Sequence, residues 1–430
     1  MSLALLEEKK LPTRQQTYNN IGDDELNAAV RVMKSRNLSG FIGRACDAFL
    51  GGPEVLKLEK AFAERFQIKH AVSFNSASTA LQAAVTAIGV GPGDEVITSP
   101  YTMSATATAI LANCAIPVFA DIDTETFCLD PESVRKVITP KTKAMIVVNI
   151  FGGPAKYDEL LAIAKEHGLK IIEDNAQAPG STYKGKLTST IGDIGIFSLN
   201  VHKVIQSGEG SVLVTNDDEL AYRAQLVRNH GEVVVDDLND SSPEHALIGN
   251  NFRLSEVHAA IAAEQLKKLD AYNDARIEAV AYLVEGLKKF SWITPFVPMD
   301  GVRHVYYIYP FRFDAEKLGI SRKTFAAAML AEGFPMGVGY VKPLYLQPLY
   351  QQKRIFPRSQ FPFVSTEYPS TVSYEKGICP VTERLFDAEL LTTTVFLAPN
   401  DRATMDAFLD AMKRIEENVE ALRAYEAKQI

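Results

Sequence analysis

Between residues 71 and 215, short apolar runs alternate regularly with segments that have helical spacing. The apolar runs predict strands over 71–74, 95–98, 117–121, 144–150, 170–174, 195–199 and 211–215. The segments between them, such as 157–167, predict helices. Strands that alternate with helices favour a mostly parallel sheet that is covered on both faces. The sequence therefore predicts an α/β fold.

The chain changes character after residue 254. Its later part predicts helices over 255–269 and 270–290, a strand over 305–313, a helix over 322–332 and a final helix from 404. At 430 residues the chain exceeds the usual size of a single core. We therefore predict an N-terminal arm at 1–20, a large domain at 21–270, and a linker helix with a smaller C-terminal domain at 271–430.

The overall charge and the cysteine pattern argue against several classes of protein. The net charge of −8 and the pI of about 5.5 disfavour binding to nucleic acid or to an anionic membrane, which needs a basic face. The four cysteines include no C-x-x-C pair, so we expect neither a metal site nor a disulfide framework. The most apolar stretch, 105–120, is interrupted by polar residues and by Pro117. We therefore expect no membrane span and a cytoplasmic protein.

A lysine in a glycine-flanked loop and an acid at a strand end indicate one kind of chemistry. Lys203 precedes a Gly-Glu-Gly turn at 208–210, and the predicted strand 170–174 ends at Asp174. Ligands of open α/β sheets bind at the carboxyl ends of the strands. Such a lysine can form a Schiff base with the aldehyde of pyridoxal phosphate (PLP), while the acid pairs with its pyridine nitrogen. Gln177 is placed to reach the ring hydroxyl. The alternative is a solvated surface lysine and an acid that caps the next turn.

Small residues between the first predicted strand and its helix suggest a phosphate site. The segment N-S-A-S-T-A-L at 75–81 places backbone N–H groups at a helix N-terminus with little side-chain bulk. The same pattern is typical of an ordinary N-cap. It indicates a phosphate site only in combination with Lys203 and Asp174.

Four segments together resemble the DegT/DnrJ/EryC1/StrS family of PLP-dependent aminotransferases, also called the sugar aminotransferase family. They are E-D-N-A-Q-A at 173–178, F-S-L-N-V-H-K at 197–203, G-N-N-F-R-L at 249–254 and I-C-P-V-T-E-R at 378–384. The resemblance extends from about residue 38 to about residue 422. It implies the fold-type I aminotransferase architecture, a seven-stranded, mostly parallel sheet with a smaller C-terminal α/β domain. It also implies a homodimer whose active sites are shared between the subunits.

The resemblance assigns roles to individual residues. Lys203 is implied to be the Schiff-base lysine and the proton shuttle, Asp174 the partner of the pyridine nitrogen, and Gln177 a contact to the ring oxygen. The phosphate is implied to bind to Ala77, Ser78 and Ser198, and to Asn251 of the partner chain.

Three positions depart from the family pattern. Met103 stands where the family usually stacks an aromatic residue on the cofactor, and its thioether can still cover the ring. Asn175 replaces an alanine, and Ser211 replaces a glycine.

The resemblance implies a transaminase that moves an amino group from L-glutamate to a nucleotide-linked keto sugar in amino-sugar biosynthesis. One alternative is a PLP-dependent sugar dehydratase or deoxygenase of the same family, which requires His202 in place of Lys203 at the cofactor. The other alternative is a catalytically silent cofactor-binding regulator.

Substrate contacts are predicted in polar loops. The candidates are Arg44, His230, Lys342 and Tyr345. The alternative for each is an ordinary surface or interface residue.

Overall fold

The structure is a computed structural model that describes residues 3–428. Its strands are β1 His70–Phe74, β2 Glu95–Thr98, β3 Ile116–Phe119, β4 Thr142–Val148, β5 Lys170–Asp174, β6 Thr182–Tyr183, β7 Lys186–Leu187, β8 Ile194–Ser198, β9 Ser211–Thr215, β10 Ile293–Pro295, β11 Val302–Arg303, β12 Tyr309–Phe313, β13 Gly337–Val338 and β14 Leu390–Thr393. Its helices are α1 Asp23–Ser35, α2 Pro53–Phe66, α3 Ala77–Ala87, α4 Ala105–Ala112, α5 Pro131–Val137, α6 Tyr157–His167, α7 Asp218–Arg228, α8 Gly231–Asp237, α9 Glu256–Leu287, α10 Ala315–Leu318, α11 Arg322–Ala331, α12 Pro348–Gln351, α13 Pro380–Arg384, α14 Arg402–Glu417 and α15 Val419–Ala427.

A seven-stranded sheet forms the centre of the fold, in the order β1-β9-β8-β5-β4-β2-β3. Strand β9 is antiparallel to both of its neighbours, and the remaining pairings are parallel. Apolar clusters cover both faces, as expected for a mostly parallel sheet. The predicted α/β class is therefore confirmed. Because only β9 is reversed, the carboxyl ends of the other six strands meet at one edge of the sheet.

The structure corrects two predicted elements. The helices predicted over 255–269 and 270–290 are one continuous helix, α9, because no glycine or proline interrupts the sequence at 269–271. The strand predicted over 305–313 begins only at Tyr309. Tyr306 has φ 50, and this left-handed conformation breaks the extended backbone before β12.

A second, four-stranded antiparallel sheet follows α9, in the order β10-β12-β14-β13. One apolar cluster joins it to the large sheet, since Met145 and Ile171 belong to the same cluster as Phe311 and Leu391. Because this cluster contains residues of both sheets, it does not mark a boundary between two domains, and the predicted domain boundaries stay a prediction. No described helix is both long enough and apolar enough to cross a membrane.

The N-terminal segment before α1 runs along the C-terminal part of the chain. The amides of Leu11 and Arg14 donate to the carbonyls of Ala331 (2.8 Å) and Gly333 (2.9 Å). Further on, the buried Asn20 side chain donates to Gln265 in α9 (2.7 Å). The segment therefore has an extended path that tertiary hydrogen bonds hold in place.

A buried ion pair anchors the loop at 40–53 that contains Arg44. Arg228 has no exposed surface, and its Nη1 donates to Glu59 Oε1 (2.6 Å) and its Nη2 to the carbonyl of Leu50 (3.3 Å). The same carboxylate oxygen accepts from the backbone amide of Ser73 in β1 (2.8 Å). Two helices, a strand and the loop therefore converge on one pair of charges.

Replacing Arg228 with methionine should destabilise the protein strongly, because it leaves the Glu59 carboxylate buried without its cation. Breaking a buried pair from one side costs about 3–5 kcal/mol. We expect a loss of that order in the free energy of unfolding, measured by equilibrium urea denaturation. The control is Arg135→Met, which breaks an exposed pair with Glu166 and should change stability far less. Equal losses in the two variants would contradict the structural role of the Arg228 pair.

Candidate active site

The sheet brings the predicted site segments to one edge. Asp174 at the end of β5 pairs with Ile196 in β8, two residues before Ser198. Ser211 at the start of β9 pairs with Ser198 on one side and with Phe74, at the end of β1, on the other. The ends of β5 and β8 are therefore adjacent, the end of β1 lies at the same edge on the far side of β9, and the loops that follow all three strands face the same region.

Asp174 is a buried carboxylate with two hydrogen bonds. The hydroxyl of Thr106 in α4 donates to its Oδ2 (2.9 Å), and the amide of Ala176 donates to its Oδ1 (3.2 Å). Burial raises the pKa of Asp174, while these two donors and the nearby Lys203 amine lower it. A buried carboxylate of this kind is stabilised further by a cation, which suits it to a protonated pyridine nitrogen.

Lys203 lies in the tight loop between β8 and β9. Leu199 and Val201 donate their amides to the carbonyls of Gly210 and Gly208, both at 2.9 Å, and both glycines have positive φ (151 and 85). These bonds fold the loop back so that the Lys203 amine lies over the ring of Tyr307, 4.6 Å from its centroid. Burial lowers the pKa of Lys203 to about 8, although the charge of Asp174 raises it. An amine with such a pKa is partly neutral near pH 7, as a nucleophile or base requires.

His202 has a different environment from Lys203. Its side chain is exposed and lines a cleft of about 420 Å³ with Tyr18, Tyr307 and Thr394. Lys203 is therefore close enough to Asp174 for their charges to interact, whereas the His202 side chain is exposed.

The N-terminus of α3 forms the third part of the site. Ser76 is its N-cap, and the Ser76 hydroxyl accepts from the amide of Thr79 (3.2 Å). Ala77 and Ser78 are the first helical residues, and Ser78 is exposed. Amides of the first turn point outward from the helix, where they suit an anion. Ser198 lies at the same edge, buried, and its Oγ accepts from the amide of Asn200 (3.3 Å).

Gln177 connects the edge of the sheet to the C-terminal part of the chain. Its Oε1 accepts from the amide of Phe151 (2.8 Å), and its Nε2 donates to the hydroxyl of Tyr340 (2.7 Å). Tyr340 in turn donates its amide to the hydroxyl of Tyr101 (2.9 Å). A glutamine side chain has two N–H donors, so one remains for a ring oxygen.

Two further predicted contacts of the cofactor are exposed. Met103 precedes α4 with 60% of its surface exposed. Asn251 is exposed as well, and its Oδ1 accepts from Arg253 Nε (2.8 Å). The structure therefore leaves both side chains accessible.

The substrate candidates lie in unlike environments. Arg44 and Lys342 are exposed, and Arg44 pairs with Asp237 at 2.9 Å. His230 adopts φ 53 at the start of α8. The prediction that Tyr345 is an accessible loop residue was wrong. Its side chain is completely buried and packs against Phe119. Its hydroxyl donates to the carboxylate of Glu383, so this conformation offers no Tyr345 surface to a ligand.

Three residues of the site were not predicted from the sequence. Thr106, Tyr307 and Tyr340 contact Asp174, Lys203 and Gln177, respectively. Thr106 is one of two threonines in an otherwise apolar helix, the other being Thr108, and the sequence does not distinguish between them. The two tyrosines come from distant parts of the sequence, and no local pattern indicates them.

The donor set of this site fits PLP part by part. Lys203 would supply an amine for the aldehyde, Asp174 a carboxylate for the pyridine nitrogen, and Gln177 an N–H for the ring oxygen. The start of α3 supplies amides for the phosphate. Within residues 3–428, no cluster of three potential metal-ligating side chains occurs. Fold and site together define a PLP-dependent aminotransferase.

Comparison with known proteins gives the family. Residues 44–383 match the model of the DegT/DnrJ/EryC1/StrS aminotransferase family, to which this chain therefore belongs. It is 35% identical over 360 residues to the spore coat polysaccharide biosynthesis protein SpsC of Bacillus subtilis (strain 168), covering 82% of this chain and 89% of that protein. It is also 35% identical over 303 residues to the GDP-perosamine synthase of Caulobacter vibrioides, covering 70% and 79%.

Solved structures agree with this assignment. The aminotransferase from Psychrobacter cryohalolentis superimposes with a TM-score of 0.80 at 26% identity, covering 94% of this chain and all of that chain. The chain is thus an aminotransferase with the fold and cofactor of its family.

Replacing Thr106 with valine should weaken the binding of PLP. It removes a hydrogen bond to the buried carboxylate of Asp174, and a bond to a charged group contributes about 1.5–3 kcal/mol. We expect the Kd for PLP to rise at least about tenfold, measured by titrating the cofactor-free protein and following visible absorbance. The matched control is Thr108→Val in the same helix, where an exposed hydroxyl bonds only to the carbonyl of Ala105. A Kd that is unchanged in Thr106→Val would show that Thr106 does not support Asp174.

Proposed function

We propose that this enzyme transfers an amino group from L-glutamate to a keto sugar carried on a nucleotide diphosphate, as a step in amino-sugar biosynthesis. The observation that carries the proposal is the half-buried Lys203 amine, which lies over the ring of Tyr307 and near enough to Asp174 for the two charges to interact. Burial lowers the pKa of this amine to about 8. The relatives named above support the sugar, because one is a GDP-perosamine synthase and another belongs to polysaccharide biosynthesis.

The cofactor, when bound, supplies an electron sink for the carbon from which a proton is removed. Lys203 then acts as the base, since its Nζ takes that proton from the donor carbon and returns it to a carbon of the cofactor. Asp174 keeps the pyridine nitrogen protonated, and Thr106 and the amide of Ala176 hold the carboxylate in place. Gln177 orients the ring through its remaining N–H.

In this proposal Ala77, Ser78 and Ser198 would hold the phosphate, and Met103 would cover the ring. Arg44, His230 and Lys342 remain candidate contacts for the substrate diphosphate. Arg44 would exchange its present partner, Asp237, for the ligand.

We further propose a homodimer in which Asn251 of one subunit contacts the phosphate of the other. The exposed face of α1 supports this arrangement, because Leu26, Val30 and Met33 lie one turn apart and are 58%, 39% and 58% exposed. Such an apolar stripe on a helix is typical of a surface that packs against another chain. The four free cysteines agree with the proposed location in the reducing cytoplasm.

Lys203→Ala should abolish turnover, with a loss of at least about a thousandfold because the base is removed. The measurement is the formation of 2-oxoglutarate from L-glutamate in the presence of keto sugars. The control is Lys289→Ala, which removes an exposed lysine and should leave activity unchanged. Substantial transamination by Lys203→Ala would refute the assignment. A sugar product formed without 2-oxoglutarate would favour the dehydratase alternative, and a protein that binds PLP without turnover would favour the silent regulator.

Shared sites predict complementation between two inactive variants. Lys203→Ala removes the base, and Asn251→Asp places a carboxylate against the phosphate. Unfolding and refolding the two variants together should produce heterodimers with one intact site, and about a quarter of wild-type activity at equal mixing. Each variant refolded alone is the control. No recovery, in a mixture that light scattering shows to be dimeric, would mean that each subunit builds its site alone.

A further inference from the structure

The ring of Tyr307 lies over the Lys203 amine. The 4.6 Å from Nζ to the ring centroid is well within the range of about 6 Å for attraction between a cation and an aromatic face. Both side chains are half-buried, and Tyr307 lines one wall of the cleft of about 420 Å³. Because such attraction strengthens as the pair loses water, this contact is stronger than an exposed one.

Backbone hydrogen bonds to the segment that follows β4 hold Tyr307 in this position. The amide of Tyr307 donates to the carbonyl of Phe151, and the amide of Val305 donates to the carbonyl of Gly152, both at 2.8 Å. Gly152 has φ 112, and a Cβ there would lie 2.6 Å from the Tyr306 nitrogen and 2.8 Å from that of Tyr307. Only glycine permits this close approach. The ring is thus held by a constrained backbone.

The surrounding charges and the burial of this pair favour a protonated Tyr307 hydroxyl, and Asp174 favours a protonated Lys203 amine. Asp174 attracts the Lys203 ammonium. Burial raises the pKa of Tyr307, whereas the guanidinium of Arg276 lowers it. Tyr340 interacts with Tyr307, and Tyr18 and His202 line the same cleft as Tyr307. The ring of Tyr18 lies 4.8 Å from the Arg276 guanidinium. Tyr307 therefore offers a face to the ammonium without exchanging a proton with it.

We propose that Tyr307 is a positioning residue for Lys203. Its ring face holds the ammonium beside Asp174 whenever the lysine is not bonded to the cofactor, so that the amine stays within reach of the reacting carbon. The ring provides this support, and the hydroxyl is not required. The inference rests on the proposed role of Lys203, but its test does not depend on activity.

The test measures the protonation of Lys203 in the cofactor-free, full-length protein. Acetic anhydride labels only neutral amines, so the pH at half-maximal labelling of the Lys203 peptide, quantified by mass spectrometry, reports its pKa. Lys289 in the same digest is the internal reference. The wild-type midpoint is expected near pH 8. Since the ring stabilises the charged form, Tyr307→Leu should shift the midpoint down by roughly one pH unit. Tyr307→Phe should leave it unchanged.

A merely structural role gives a different result. If Tyr307 only excluded water, its removal would hydrate the ammonium and move the midpoint upward. An upward shift or no shift in Tyr307→Leu, or a downward shift in Tyr307→Phe, would overturn the proposal. If Tyr307→Leu does not fold, Tyr307→Met also removes the ring and is read in the same way.

Activity then separates the two proposals. Tyr307→Leu should reduce kcat more than it changes KM for the donor, and Tyr307→Phe should restore kcat. If Lys203→Ala keeps turnover while the labelling midpoints shift as expected, the proposed function fails and the contact between Tyr307 and Lys203 stands.

Discussion

A buried carboxylate behind the active site sets the geometry on which the other parts depend. Glu173 has no exposed surface, and it accepts from the amides of Ser189 (2.8 Å), Ile191 (2.7 Å) and Gly192 (2.7 Å). Burial raises its pKa, and these three donors offset part of the cost of its charge. They pin the loop that leads into β8. Gly195 allows this loop to pack closely against β8, because a Cβ at position 195 would lie only 2.3 Å from Ser189.

Two adjacent acids on one strand thereby have separate tasks. Successive side chains of a strand point to opposite faces, so Glu173 fixes β8 from one face while Asp174 serves the site from the other. The register that results, Asp174 opposite Ile196, decides where β8 ends and where the Lys203 loop begins. The separation of Asp174 from the Lys203 amine is therefore a consequence of strand register.

Sequence reasoning found the parts of the site that are encoded locally. β5 and its terminal Asp174 are visible as an apolar run that ends in a carboxylate, and Lys203 stands out beside its glycine turn. Thr106 and Tyr340 lie 68 and 163 residues from the side chains they contact, so their roles depend on tertiary packing alone. The prediction that Tyr345 is accessible was wrong for the same reason. Phe119, which is distant in the sequence, packs with Tyr345 in one buried cluster.

Two of the three departures from the family pattern, Ser211 and Asn175, add internal hydrogen bonds near the site. Ser211 Oγ donates to the carbonyl of Phe197 (2.6 Å), across the pairing of β8 with β9. Asn175 Oδ1 accepts from Asn149 Nδ2 (3.0 Å), and Asn149 Oδ1 accepts from the hydroxyl of Tyr157 (2.9 Å). A glycine or an alanine at these positions would make neither bond. Both bonds act on the strands that deliver Lys203 and Asp174, and neither touches the two side chains themselves. The substitutions therefore change how the edge of the sheet is held together, and they leave its chemistry intact.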